Sequence, residues 1–502
     1  MLLDQCITFI HNLDVRLFPP KDLSPDNALP RIRPSWRELA ITPEKDLPLL
    51  VRQSSVALRY LHLLGDLEWE HFPERPTNRP WPGSTPAPRA PFIAAFLVKL
   101  QENQPYMSTL RTFLIDNPPL VWLLGFPLVM DDPLTEPSPW GFDLQATVPS
   151  AKQMGRVLRT LQPEQSRFFL QQTIWLLQQE LPPDSGFGDE ISLDTKHIIA
   201  WVRENNPKER ISDRFNKERR PAGDPECRLG FKSMSNQGAK PAHTPTSTPT
   251  SDGLPASQSE KPKEGQYLWG YASGVVAATV NGWGDFVLAE FTQTFDKSDP
   301  SYFYPLMEQT EQHLGRKPKS GALDAAFDAF FVYDYFHAAG GFAAVPWADR
   351  ADHRKSFDEQ GLPLCAAGFS MPLRSSFVKR TGCLIPHKCG RFACPLPDMG
   401  EHDCPVSHPN WEKQGGCITT LPLSPGNRLR HQLDRESDAY KRLYRQRSAV
   451  ERINSQAVSL GIERPKLRNK DAIANANTLI YLLINLRALQ RVRALKAERS
   501  NA

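Results

Sequence analysis

The dipeptide Asn281-Gly282 constrains this chain more than any other pair of neighbours. Asn-Gly suits the two-residue β-hairpin loop, whose central residues both need positive φ. It separates residues 267–280 from residues 285–295, two runs rich in Val, Ala, Thr and aromatics. An antiparallel pair is expected there. Upstream, Ile191 and Leu193 alternate with Ser192 and Asp194, the pattern of a short strand ending in an acid. Downstream, Gly321-Ala-Leu-Asp324 reads as a brief strand and residues 325–339 as a helix. Gly340-Gly341 is the helix stop, and Phe342-Ala-Ala-Val-Pro346 the returning strand. In such a βαβ unit Asp324 sits at the C-terminal end of a parallel strand, where open α/β sheets hold their ligands. Residues 434–499 read as helical, with a break near 461–465.

Three antiparallel strands, then β-α-β, then a late helix is the element order of a ribonuclease-H-like fold. The expected class is therefore α/β, a mixed sheet core with additions. An N-terminal helical domain covers residues 1–185. The first part of the core covers 186–350, and within it 236–264 is a Ser/Thr/Pro/Lys-rich linker that cannot bury a core. A Cys/His-rich, loop-rich insertion covers 351–427, and the C-terminal helical part of the core covers 428–502. Within the first domain, residues 73–91 carry too many prolines for a helix. Ser150-Ala-Lys-Gln153 reads as a capping box ahead of Met154, Val157, Leu158 and Leu161 at helical spacing. Pro163 ends that helix, and residues 168–181 form a second apolar one. This domain reads either as a packing unit or as a binder of DNA ends.

A chain of 502 residues has ample length for a hydrophobic core, and its 23% charged and 40% hydrophobic residues are ordinary for a globular protein. The net charge of +4 is too small to identify a polyanionic partner. Its distribution says more: residues 426–502 hold 17 Lys and Arg against 7 Asp and Glu, a net of +10. Such a tail is an electrostatic footprint for phosphate. The sequence has no run of eighteen apolar residues, so no membrane span is expected, and Met1-Leu-Leu-Asp-Gln-Cys does not read as a secretory signal. A Gly-x4-Gly-Lys-Ser/Thr loop is absent, which argues against a nucleotide cofactor.

Three acids stand in contexts that suit phosphodiester chemistry: Asp194, Asp324 and Glu451. Cleaving that bond requires an activated water or hydroxyl and neutralisation of charge on the attacking and leaving oxygens. Two Mg²⁺ ions about 3.5–4 Å apart supply both, when hard carboxylate ligands hold them. Taken singly, Asp194 and Asp324 also read as turn caps, and Asp328 rivals Asp324. Glu451 alone reads as a surface residue. Its neighbours raise it: Tyr444, Arg447 and Glu451 recur at i, i+3, i+7 and so share one helical face. Arg447 can fork onto a phosphate and Tyr444 can pack on a sugar.

Tyr444-x2-Arg447-x3-Glu451 resembles the signature of the DDE transposases of bacterial insertion sequences. The resemblance also takes in Pro105-Tyr-Met-Ser-Thr-Leu-Arg111, residues 191–207, Ala322-Leu-Asp-Ala-Ala-Phe-Asp328 and residues 444–468. It implies a ribonuclease-H-like core with Asp194, Asp324 and Glu451 as catalytic Mg²⁺ ligands. It implies cut-and-paste transposition: cleavage at inverted-repeat ends, then joining to target DNA by a homodimer or larger synaptic complex in the bacterial cytoplasm, at the nucleoid. Tyr444, Arg447, Arg452 and Lys466 are the expected DNA contacts. The fuller family motif has Lys seven residues after the Glu, where this chain has Val458. Lys466 or Arg464 is then the substitute contact, and a catalytically inactive, transposase-derived DNA-binding protein is the alternative. A zinc-containing nuclease without strand transfer is a third reading. Some family members stack a flipped base on an aromatic, a role open to Trp283 beside its ordinary reading as half-buried.

Six of the eight cysteines lie between residues 365 and 417. Cys383-x5-Cys389-x4-Cys394-x9-Cys404-x12-Cys417, with His387, His402 and His408 interspersed, carries enough ligands for one tetrahedral structural Zn²⁺. Cys389, Cys394, Cys404 and Cys417 are the expected set; reduced, partly buried thiols are the alternative.

Overall fold

The computed structural model describes residues 29–75, 86–132, 138–233, 265–348, 355–400, 404–408, 411 and 416–500. The expected linker at 236–264 and His402 lie outside them. The chain forms two compact units, Met1–Thr173 and Ile174–Ala502.

The first unit is helical, built from α1 (Trp36–Ile41), α2 (Ser55–Leu64), α3 (Ala90–Gln101), α4 (Met107–Ile115), α5 (Pro118–Leu124) and α6 (Ala151–Thr160). α7 (Pro163–Glu180) begins in it and ends in the second unit. Ser150 caps α6 by accepting from the Gln153 amide. Pro163 starts α7 rather than merely ending its predecessor, a position where its missing N–H costs nothing. Pro91 plays the same part in the first turn of α3, so the proline-rich stretch yields to helix one residue before its end. From Pro91 to Val98 every α3 residue is buried, as an all-round apolar helix requires. Trp36, Trp69, Phe169 and Phe72 follow one another at 4.4–5.4 Å, stacked at both ends and tilted between Trp69 and Phe169.

The second unit is α/β. β1 (Glu190–Ile199), β2 (Arg228–Ser233), β3 (Gly265–Val280), β4 (Gly284–Thr294), β5 (Ser320–Leu323) and β6 (Ala343–Ala344) form a mixed sheet in the order β2-β3-β1-β5-β6, with β4 also paired to β3. β3 runs antiparallel to β1, β2 and β4, while β5 and β6 run parallel to β1 and β5 respectively. The β3–β4 loop is Asn281-Gly282-Trp283, one residue longer than the two-residue loop expected: Val280 pairs with Gly284, the Trp283 amide donates to the Val280 carbonyl at 2.9 Å, and Gly282 (φ +76°) but not Asn281 is left-handed. α8 (Phe303–Leu314) precedes β5 and α9 (Phe330–Ala338) follows it.

Several elements differ from their sequence reading. β1 does not end at Asp194 but runs five residues further, because Thr195 to Ile199 keep pairing with β3. The expected helix at 325–339 is split: Asp324 caps a 3₁₀ turn, Ala325–Phe327, and α9 starts only at Phe330. The returning strand shrinks to two residues.

The loop-rich reading of 351–427 is also corrected. β7 (Leu373–Lys379), β8 (His387–Ala393) and β9 (Ile418–Pro422) make a separate antiparallel sheet around Met371, Phe392 and Leu421. All seven β7 residues are exposed, so the strand carries no apolar alternation to announce it.

α10 (Pro425–Gln432), α11 (Asp438–Arg445), α12 (Ser448–Ser459) and α13 (Lys470–Ser500) complete the unit. α13 is long and apolar enough to cross a membrane by length and composition, yet 89% of its most apolar window is buried in the protein. It packs along β4, where one extra residue, Leu288, bulges between Val287 and Ala289. Asn485 of α13 accepts from the Val287 amide and donates to its carbonyl, both at 2.8 Å, and His313 Nδ1 lies 2.6 Å from the Leu288 carbonyl. Backbone groups disturbed by the bulge are thus satisfied by side chains.

Candidate active site

The register of two neighbouring parallel strands builds the site. Leu193 of β1 lies opposite Leu323 of β5, the last paired position between them. Asp194 and Asp324, one residue on, are therefore neighbours although 130 positions separate them. Asp324 leaves the sheet as an N-cap, its Oδ1 accepting from the Ala326 amide at 3.0 Å.

Burial pushes the Asp194 carboxyl up to about 6; Arg447 opposes the shift, and the negative charges of Asp324 and Asp299 add to it. Asp324 is raised by burial too, again against Arg447. Asp299, in the 3₁₀ turn Asp299–Tyr302, is a third raised acid, pushed up by burial and by the charge of Asp324. Thr195 Oγ1 donates to it at 2.8 Å. Asp194 and Asp324, both half-buried, face Arg447, and Asp299 adds a third charge beside Asp324; such a site holds excess negative charge that a cation would stabilise.

α11 and α12 bring the other groups. α11 packs on β6 through Tyr440 and Leu443, and Arg442 pairs with Glu190 at 2.9 Å at the start of β1. Tyr444 stacks on Tyr440 at 5.7 Å. The expected single helix is interrupted between Arg445 and Ser448, where the Gln446, Arg447 and Ala449 amides bond three residues back instead of four. Both turn residues keep right-handed helical angles. Tyr444 stays near the acids: Arg447, Asp324, Glu451 and Asp194 all act on its hydroxyl.

Arg447 is the hub. Nη1 lies 2.5 Å from Glu451 Oε1 and Nη2 lies 3.9 Å from Asp194 Oδ1, while Nε is buried with no hydrogen-bond partner. Glu451, in the first turn of α12, keeps its side chain 56% exposed and faces Arg447. The expected cage of three converged acids is accordingly not formed: among the described residues no three His, Cys, Asp or Glu side chains stand ready to hold a metal. Asp194 and Asp324 are together, and Glu451 is drawn aside by its arginine.

Two residues of this neighbourhood were not expected from sequence. Asp299 has no local signal, being joined to Thr195 only by the fold. Asn454 lies one turn after Glu451 on the buried face of α12. Its Nδ2 donates to Asp194 Oδ2 at 3.2 Å, and its buried Oδ1 has no partner. An orphaned amide oxygen beside two raised carboxylates is a further hard oxygen donor, the chemistry that a divalent ion such as Mg²⁺ takes. An Asn three residues after the Glu on a helix was the available clue.

The remaining expected contacts lie elsewhere. Arg452 forks onto Asp285 of β4 at 2.5 and 2.8 Å and also reaches Ser448 Oγ, so its guanidinium clamps α12 to the sheet. Lys466 stands 5.5 Å over Trp201, which also carries Arg468 at 4.7 Å, beyond the end of β1 rather than with the acids. Val458 is partly exposed on α12. Asp328, the rival of Asp324, is buried and forked by Arg430 at 2.8 Å on both oxygens, which holds it below the ordinary carboxylate range against its burial. Trp283 packs partly buried against the core, with Arg499 4.1 Å over its ring.

Of the expected zinc ligands, Cys394, Cys404 and Cys417 lie near one another, since the charges of the first two act on the third. Cys389 is set apart in mid-strand on β8, opposite Phe377 and Pro422. Compared with known proteins, the sequence matches no family model and no curated protein significantly.

Proposed function

We propose that this protein is an Mg²⁺-dependent DDE transposase with a ribonuclease-H-like core. The observation that carries the reading is the adjacency of Asp194 and Asp324 on parallel strands, with Arg447, Tyr444 and Glu451 at their edge. The sheet order and the β-α-β passage around Asp324 agree with it. Asp194, Asp324 and Glu451 would hold the metal, with the free Oδ1 of Asn454 beside them. An Mg²⁺ ion held there would supply activation of a water or DNA 3′-hydroxyl and neutralisation of charge on the scissile phosphate.

The chain's own residues do the rest. Asn454 holds one Asp194 oxygen and leaves the other to face Arg447. Arg447 opposes the upward shift of the two aspartates and holds Glu451 aside. A phosphate entering the site competes for the guanidinium, whose fork fits its oxygens, and so releases Glu451 toward Asp194 and Asp324. Tyr444, braced by Tyr440, lines the same edge and is placed to pack on a sugar or donate to a phosphate. The basic C-terminal segment contributes attraction for DNA, and two or more chains acting together would bring the element's two ends to one target.

The test is joining. DNA carrying the inverted repeats that flank this coding sequence is incubated with supercoiled target plasmid and Mg²⁺. Covalent donor–target products, lost in Asp194→Asn and Asp324→Asn while repeat binding persists, are expected. Binding by all forms with no cleavage would leave the alternative, a DNA-binding protein that has lost its chemistry. Cleavage without joining would favour a nuclease.

A further inference from the structure

Two turns near the small β7–β9 sheet share one form, and a cysteine opens each. The Gly368 amide donates to the Cys365 carbonyl at 2.9 Å, with Gly368 left-handed at φ +84°. The Ser407 amide donates to the Cys404 carbonyl at 2.9 Å, with Ser407 left-handed at φ +46°, a conformation with a cost for a residue carrying a Cβ. At the end of the sheet the Cys394 amide donates to the Cys417 carbonyl at 2.8 Å, which sets the exit of β8 against the entry of β9. Gly416 makes room for this approach: a Cβ there would sit 2.8 Å from Cys394 Cβ and 3.4 Å from its Sγ.

The turn after Cys365 reaches the same place. The Ala366 amide donates to the Cys417 thiol, and Cys365 and Cys417 both pack on the Met371–Phe392–Leu421 core. Cys365, Cys394 and Cys404 all lie close enough for their charge to act on Cys417. None of the four is in a disulfide. Cys389 lies five residues along the chain from Cys394, about 16 Å of extended strand.

The sheet's own core is small, Met371, Phe392 and Leu421 with partly buried neighbours, and β7 is fully exposed, so a metal staple would add stability to it. We propose that Cys365, Cys394, Cys404 and Cys417 form a structural Zn²⁺ site that locks the β7–β9 sheet. Each thiol gives its proton to solvent as its S–Zn bond forms, giving a closed tetrahedral centre with no open position for substrate. Among the described residues no such set is already in coordinating geometry, so ligation draws the Cys365 and Cys404 turns inward. The site is independent of the proposed transposase activity.

The test uses the full chain, expressed with zinc and purified without chelator. Elemental analysis should find one zinc per chain in the wild type and in Cys389→Ser, and a loss of most of it in Cys365→Ser. Because Cys365→Ser could fail to fold, the zinc-loaded wild type is also alkylated and its peptides read by mass spectrometry. Cys365, Cys394, Cys404 and Cys417 should be protected at least tenfold relative to Cys383, and should react once a chelator strips the metal. Absence of zinc, iron in its place, or a Cys365 that reacts as fast as Cys383 in the loaded chain would each overturn the proposal.

Discussion

At the residue scale, the site is governed by three raised carboxylates. A carboxyl whose folded pKa lies above its unfolded value favours the protonated fold, so stability falls as pH rises from the unfolded value through the folded one. For Asp194 that window runs from about 4 to about 6. A divalent ion removes the penalty above the window and competes with protons inside it. Mg²⁺ should therefore raise the melting temperature more at about pH 7.5 than at about pH 5. Equal shifts at the two values would mean that the ion binds elsewhere. Arg452 supplies a contrasting prediction. Its fork to Asp285 is half exposed, and Arg452→Ala should cost no more than about 1 kcal/mol in denaturant unfolding. DNA affinity should stay unchanged, since the guanidinium is committed to the sheet; a large drop in binding would return Arg452 to the DNA contacts.

At the scale of elements, legibility followed the range of the interaction. Asn281-Gly282 announced the hairpin because the left-handed position of its turn is filled by an adjacent glycine, although the loop is one residue longer than the pair alone suggests. Asp324 could be placed at a strand end because Gly321-Ala-Leu and the following helix are local. The true end of β1 could not be read: Thr195 to Ile199 stay in the sheet through pairing with β3, some eighty residues away. Asp299 and Asn454 escaped for the same reason, and so did the closeness of Cys365 to Cys417. β7 escaped because none of its residues is buried. The β4 bulge is another long-range feature, and its repair by Asn485 is testable. Asn485→Leu strands a buried amide and a buried carbonyl, each costing about 1–3 kcal/mol. A loss of roughly 2–4 kcal/mol in urea-induced unfolding is expected; a change below about 0.5 kcal/mol would show that the bulge finds other partners.

At the scale of the whole molecule, fold class was readable while the proposed function rests on a few residues where the central strands β1 and β5 part. A mixed α/β unit follows from the order of strand-like and helical segments; which acids meet follows only from the register of β1 on β5. The +10 charge of residues 426–502 should appear as salt dependence. If six or more of those cations contact phosphate, repeat affinity should fall about 10³-fold or more between about 50 and 200 mM salt. An affinity that is flat over that range would remove the segment from the DNA interface.

The central claim is that Asp194, Asp324 and Glu451 act together on a phosphodiester once Glu451 leaves Arg447. The most direct measurement is Mg²⁺-dependent nicking of DNA bearing the flanking inverted repeats, by wild type and by Glu451→Gln, with repeat binding measured alongside. The wild type should nick at the repeat ends, and nicking should fall on the order of 10²–10³-fold or more in the variant, with binding retained. Equal nicking by both proteins, or none by a wild type that binds the repeats tightly, would contradict it.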